Sequence, residues 1–415
     1  MIKKILRYKS SQLFINIKNY FTGSVLSKAL IFLSIPILTR FLSPDEYGYL
    51  AIFNSLITVF VIIMPLGLFS SIRHITLKRN EIENSKEYLF VVFFFGYIFS
   101  IIFIIIIYFS RKFLYNEFNI RPLILYLAVV YSFFGISYEI YNRVLLSKNN
   151  SAQFATLSIF KGLFEFVVGI GLVILLNNNK YLGKIVGQIL SISIISIYSV
   201  FKILKESQFS IDKKKLFFIL SYSLPLIPHQ LSYFILAQFD RLIINQLKGL
   251  AETGLYTLAY SFGMIIQMLV VSINNAWLPS LYKNLKIGNY IEIDKKITTL
   301  FMIISLLAVV LSFLSREIIY IMAPREYHDS IEIIPIILIS SLFIYLYTTY
   351  GNYSFFHEKT IIISVNSFLA GGINIVLNYL LIEKYGYKIA AITTLISFMA
   401  LFLLHYVYSR YILKE

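Results

Sequence analysis

No cysteine occurs in the sequence, so a disulfide frame, a thiolate metal site and a thiol nucleophile are all excluded. Charge is also scarce. Only 14% of the 415 residues are Asp, Glu, Lys or Arg, too few to cover the surface of a water-soluble protein of this length. There is no G-x-x-x-x-G-K-[ST] phosphate loop, which argues against direct ATP hydrolysis by this chain. Gly169-x-Gly171 lies inside an apolar run and is no dinucleotide fingerprint. The five histidines, at positions 74, 229, 328, 357 and 405, are scattered without ligand spacing, so neither a metal nor another cofactor is expected. The opening "MIKKILRYKSSQLFINIKNYF" lacks the unbroken apolar core and cleavage site of a signal peptide. It reads as an interfacial amphipathic lead-in to a first membrane span.

Apolar and aromatic residues are abundant: the chain is 58% hydrophobic, with 37 Phe and 32 Tyr. A helix needs roughly 20 mostly apolar residues to cross the hydrocarbon. Twelve such stretches can be drawn, at 21–42, 46–69, 88–109, 120–146, 152–176, 181–204, 216–247, 251–276, 297–315, 331–356, 360–382 and 387–413. Runs such as "IFSIIFIIIIYFS" are continuously apolar, which fits helices and not the alternating strands of a barrel. The net charge of +16 is topological. Sorted by the side of the membrane each loop would occupy, Lys and Arg are twice as frequent on one side as on the other. That bias predicts two cytoplasmic termini. The basic excess suits anionic lipid headgroups, and no nucleic-acid partner is expected.

A local motif occurs twice. In "PILTRFLSPDEYGYLAIF" (36–53), Ser43 caps a helix, Pro44 takes its first position and Glu46 completes a capping box. The stretch "RLIINQLKGLAETGLYTLAYSFG" places Glu252 and Gly254 206 residues after Glu46 and Gly48, with Gly249 at the cap. Each corner is short, so the helices it joins are expected to be antiparallel neighbours, with Gly48 and Gly254 letting the paired backbones approach closely. A second echo, "YLGKIVGQ" (181–188) against "YGYKIAAI" (385–392), sets Lys184 on Lys388. The two echoes together predict an all-α polytopic membrane protein of about twelve helices. They arrange it as two six-helix lobes, 1–206 and 207–415, in a parallel repeat around a central cavity. The charged stretch 204–215 would link them. Pro225 and Pro228 predict a bent or broken seventh span, either a static kink or a gating hinge.

Ionisable residues inside the spans each cost a few kcal/mol if left unpaired, roughly 2.5–3.5 on insertion scales. They are Lys28, Glu139, Arg143, Lys161, Glu165, Asp240 and Arg241. Glu139 with Arg143, and Lys161 with Glu165, are four residues apart and read as local ion pairs. Asp240 and Arg241 point about 100° apart on their helix, and Arg241 is near enough to the span end to snorkel. Lys28 has no acid within a turn or two. It either snorkels to the surface or faces a wet cavity and awaits an anion. Amides crowd the second half, among them Gln267, Asn274, Asn366, Asn374 and Asn378, and are expected to bond across helices. Trp277 reads as an interfacial anchor at the end of span eight.

In "PILTRFLSPDEYGYLAIFNSL", "YNRVLLSKNNSAQFATLSIF", "FDRLIINQLKGLAETGLYTLAYSFG" and "NNAWLPSLYKNL", taken in that order, the chain resembles the O-antigen-type polysaccharide flippases. These belong to the multidrug/oligosaccharidyl-lipid/polysaccharide exporter superfamily. The resemblance implies a cationic central cavity in a bacterial inner-membrane protein. It also implies transfer of an undecaprenyl-pyrophosphate-linked sugar repeat unit between leaflets, driven by a proton or sodium gradient. Lys28, Arg143, Lys161 and Arg241 are then the candidates for substrate binding, and Glu139, Glu165 and Asp240 for ion coupling. A polysaccharide polymerase and chain-length machinery are the implied partners. A polymerase (an enzyme), a multidrug antiporter of the same superfamily and a non-transporting scaffold remain alternatives. The first typically needs a long outer loop, which this chain lacks, and the second would want acidic cavity residues.

Overall fold

The protein is described by a computed structural model at residues 19, 22–23, 26–27, 29–72, 75, 82–357 and 359–412. Lys28 lies outside the described residues. The elements are helices: α1 (Ala29–Phe41), α2 (Pro44–Ile63), α3 (Ile82–Phe118), α4 (Pro122–Ser147), α5 (Ser151–Leu175) and α6 (Tyr181–Glu206). A broken α7 follows, then α8 (Leu250–Lys286), α9 (Tyr290–Met322), α10 (Ile334–Phe356), α11 (Thr360–Tyr385) and α12 (Ile389–Ile412). Ten of the described helices are long and apolar enough to cross a membrane. The expected spans outside that set are α1, described here over Ala29–Phe41, and α7, divided into short pieces.

Two compact units can be distinguished, one made of residues through Phe41 with Phe53–Ile227, the other of Leu42–Ile52 with Pro228–Glu415. In the first unit α6 packs on both α4 and α5, and α3 packs on α4. In the second, α12 packs on both α10 and α11, while α8 and α9 pack on α10. The same pairing of sixth helix with fourth and fifth thus recurs in the second half of the chain.

Local chemistry sets the helix starts. Ser43 Oγ accepts the Glu46 N–H at 3.3 Å with Pro44 leading α2, which is the predicted capping box. Asn150 and Asn289 cap α5 and α9 in the same way, accepting N–H groups three residues on. Gly249 caps α8 at φ 105°, a backbone conformation that disfavours any side chain. Asp212 caps the first piece of α7 through the Lys214 N–H at 2.8 Å, a bond that holds its carboxyl below the usual range.

Three expectations need correcting. Gly48 and Gly254 do not serve the neighbours of their own corners; they pack against each other's helices. A Cβ on Gly48 would lie 2.8 Å from the Leu250 carbonyl carbon, and one on Gly254 would lie 3.1 Å from Gly48 N. The two repeat corners therefore meet backbone to backbone within the second unit. Trp277 is no helix-end anchor. α8 runs on through Pro279 to Lys286, leaving Trp277 7% exposed among Leu281, Leu285, Ile297 and Tyr353. Finally, α3 and α8 are 37 residues long and α9 is 33, so these helices extend well past the apolar stretches that nucleate them.

The seventh span breaks as the prolines predict. α7a (Lys213–Ser223) gives way to a 3-10 turn at Leu224–Leu226 and then to α7b (Ile227–Phe234). A π-helical turn at Ile235–Phe239, which no proline announces, then precedes α7c (Asp240–Leu247).

Candidate functional site

In the first unit, small residues bring α5 and α6 together. A Cβ on Gly183 would sit 2.7 Å from the Leu172 carbonyl carbon, and Gly187 faces the backbone of Gly169. At this spacing Lys184 and Gln188, one turn apart on α6, both reach Glu165 on α5. Lys184 Nζ and Gln188 Nε2 each donate to Glu165 Oε1 at 3.0 Å. Lys161 Nζ stands 3.5 Å from the other oxygen, Oε2, and 5.9 Å from the centroid of the Tyr131 ring. Gln188 also donates to Asn54 Oδ1 on α2 at 3.3 Å, and Ser191 Oγ donates to the Lys161 carbonyl at 2.9 Å. The side chains of Lys184 and Glu165 are each 9% exposed, and that of Lys161 is 21% exposed. Two ammonium groups thus share one carboxylate, and Glu139 on α4 lies within electrostatic reach of Lys161. The two lysines line a cavity of about 200 Å³ together with Ser27, Tyr138 and Ser158.

The sequence reading paired Lys161 with Glu165 and missed Lys184, Gln188 and Asn54. Lys184 lies near the start of its span, where a cation reads as loop charge. The signal was present in the i, i+4 pairs Gly183/Gly187 and Lys184/Gln188, in which small residues mark a buried face beside the polar ones. The proposed Glu139–Arg143 pair does not form. Among the described residues Arg143 makes no ion pair; it is exposed, and its guanidinium carbon stands 5.5 Å from the Phe69 ring centroid.

In the second unit, Asp240 is fully buried at the start of α7c, directly after the π turn. Its Oδ2 accepts the hydroxyls of Tyr256 on α8 and Thr394 on α12, each at 2.7 Å. Its Oδ1 accepts the Asn378 amide of α11 at 2.8 Å. Asn378 also donates to Asn374 Oδ1 at 3.1 Å and accepts a hydrogen bond from the Thr393 hydroxyl. One carboxylate therefore joins four helices through neutral donors. Arg241 does not snorkel. It is 4% exposed, donates to the Ala237 carbonyl at 2.8 Å and lies over the Tyr260 ring at 4.4 Å. The expected amide bonding across helices also appears in Asn352 Nδ2 donating to Asn274 Oδ1 at 2.7 Å.

Residues 14–285 match the model of a family described as polysaccharide biosynthesis protein. An Lsg locus protein of Haemophilus influenzae is 24% identical over 358 residues, covering 85% of this chain and 86% of that one. Among solved structures, the lipid II flippase MurJ in an inward closed conformation aligns with a TM-score of 0.78 at 18% identity, covering 94% of this chain and 87% of that one. An outward-facing multidrug resistance MATE family transporter of the MOP superfamily aligns with a TM-score of 0.64 at 14% identity, covering 96% of this chain and 95% of that one. The chain thus has the all-α polytopic fold of these transporters.

Proposed function

We propose that this chain, which belongs to the polysaccharide biosynthesis protein family, is a flippase for an undecaprenyl-pyrophosphate-linked oligosaccharide repeat unit. It works across the bacterial cytoplasmic membrane, with both termini cytoplasmic. Two six-helix lobes, 1–206 and 207–415, open a central cavity alternately to each side, and the repeat unit feeds surface polysaccharide such as O-antigen. No bond is made or broken in the substrate.

The observation that carries this reading is the loosely held, cavity-lining cation on α5. Lys184 and Gln188 occupy Glu165 Oε1, while Lys161 is held more loosely, at 3.5 Å, and faces a cavity. A pyrophosphate brings about two negative charges, which an ammonium in a low-dielectric cleft attracts far more strongly than in water. Lys161 is the phosphate-binding residue in this reading, with Lys28 and Arg143 as further cations on the path. Arg241, held by a carbonyl and tyrosine rings, positions α7c. Asp240 carries the coupling ion, a proton or sodium. Neutralising its charge weakens the hold on the Tyr256, Thr394 and Asn378 donors and so loosens α7c from α8, α11 and α12. A multidrug antiporter would take cationic drugs, which the Lys161 ammonium in the cavity wall repels.

The test is complementation. Expression in a flippase-deficient strain that makes the matching repeat unit should restore surface polysaccharide. A chain that inserts normally but restores none would refute the proposal.

A further inference from the structure

A larger cavity, of about 590 Å³, lies in the first unit at the end where α4 and α6 terminate, and it shares no lining residue with the Lys161 cavity. Its floor is apolar, formed by buried Ile72, Leu89, Val92 and Val144. Its rim carries Lys86, Lys148, Lys202 and Lys205, with Glu206 the one acid among the residues that line it. Lys148 pairs with Glu206 at 2.6 Å, tying the end of α4 to the end of α6. Among the described residues the other three lysines make no ion pair, although Lys202 lies 5.5 Å from the Tyr198 ring centroid. Four ammonium groups with one acid among the described residues that line this concave space repel one another, and a bound anion relieves that repulsion. Beside them, α6 presents Ile197, Phe201 and Leu204 at its exposed surface, an apolar track leading away from the rim.

We propose that this cavity binds the phosphate of an anionic membrane lipid. The lysines hold the headgroup as point charges, the floor takes the glycerol and the first methylenes, and the acyl chains run along α6. The volume lies in the range of ligand pockets, roughly 300–1,000 Å³. A free phosphate or a nucleotide shares the anionic chemistry, but neither gives the apolar track a role. The site shares no lining residue with the Lys161 cavity, so its occupancy regulates or anchors the first unit.

Native mass spectrometry of the full chain in neutral detergent, titrated with phosphatidylglycerol, phosphatidylcholine or inorganic phosphate, tests this. Phosphatidylglycerol should bind on the order of a hundredfold more tightly than phosphatidylcholine, and millimolar phosphate should not displace it. Each lysine near an anionic headgroup is worth about fivefold in affinity. The combined variant Lys86→Gln/Lys202→Gln/Lys205→Gln should therefore lose on the order of a hundredfold for phosphatidylglycerol and nothing for phosphatidylcholine. Ser147→Trp, which fills the cavity and leaves every charge in place, should lose the same preference. It decides the matter alone if the triple variant fails to fold. Wild-type preference in Ser147→Trp would overturn the proposal in favour of a diffuse basic surface. Displacement of the lipid by phosphate would overturn it in favour of a soluble-anion site.

Discussion

Replacing Glu165 by Gln removes the one carboxylate shared by Lys161 and Lys184. Breaking a buried pair by deleting one partner costs about 3–5 kcal/mol, because an uncompensated charge stays behind. Here that charge is Lys184, whose side chain is 9% exposed. Lys184→Met should cost less, because Glu165 keeps Lys161 at 3.5 Å and the Gln188 donor at 3.0 Å. Lys161→Met should cost least, about 1 kcal/mol or below, since the contact is longer and the side chain is more open. At about 2–4 °C per kcal/mol for a unit of this size, Glu165→Gln should melt roughly 10 °C below the parent and Lys161→Met within about 3 °C. Transport should follow the opposite order. Lys161→Met should abolish restored surface polysaccharide at normal expression, while Lys161→Arg retains part of it. Thermal unfolding of the purified variants, set beside complementation, reads both scales. If Lys161→Met flips normally, or unfolds as readily as Glu165→Gln, the division into a structural Lys184 and a displaceable Lys161 is wrong.

Gly48→Ala and Gly254→Ala should each destabilise by about 1–3 kcal/mol or more, because the new methyl falls on backbone and not on a side chain that can turn aside. The double variant should fall short of the sum, since both glycines serve one contact; unchanged melting in either single variant would contradict the crossing. Asp240→Asn keeps the volume but offers one acceptor oxygen in place of two to Tyr256, Thr394 and Asn378, at a cost of about 1–3 kcal/mol. Reconstituted transport by this variant should no longer respond to the ion gradient, and a preserved response would remove Asp240 from coupling. Because no native cysteine competes, single cysteines report topology cleanly. One at Ser43 should label from outside and one at Ser207 only after permeabilisation; the reverse would invert the orientation.

Much of the fold can be read from hydropathy and punctuation because a membrane leaves the backbone few choices. Twelve apolar runs become α1 to α12, and the breakers fall where their chemistry puts them: Pro225 and Pro228 at the broken α7, Ser43 and Gly249 at caps. What hydropathy cannot see is where an apolar run stops while its helix continues. The 37 residues of α3 and of α8 run past the apolar stretches that nucleate them. The π turn before Asp240 has no local signal either. Tertiary contacts of α7 with α11 and α12 accompany it, and no residue type in "ILAQF" requires it.

Half of each site was legible, and the division is physical. A buried charge stands out in an apolar run, so Lys161, Glu165, Asp240 and Arg241 can be picked from the sequence alone. Its partners do not, because they are neutral amides and hydroxyls or, like Lys184, sit close enough to a span end to pass as loop charge. The local pairing rule found Lys161–Glu165 but also proposed Glu139–Arg143, which does not form. Spacing of four gives proximity, whereas the tertiary neighbours decide whether a pair closes. Those neighbours differ sharply between the two buried carboxylates. Glu165 is compensated by two ammonium groups, Asp240 by neutral donors and an adjacent guanidinium turned toward tyrosine rings. Glu165 holds one ammonium closely, at 3.0 Å, and a second more loosely, at 3.5 Å. A carboxylate surrounded by hydroxyls and amides depends on its own charge to keep its donors. The first arrangement leaves a loosely held ammonium facing a cavity, and the second ties four helices to a single charge.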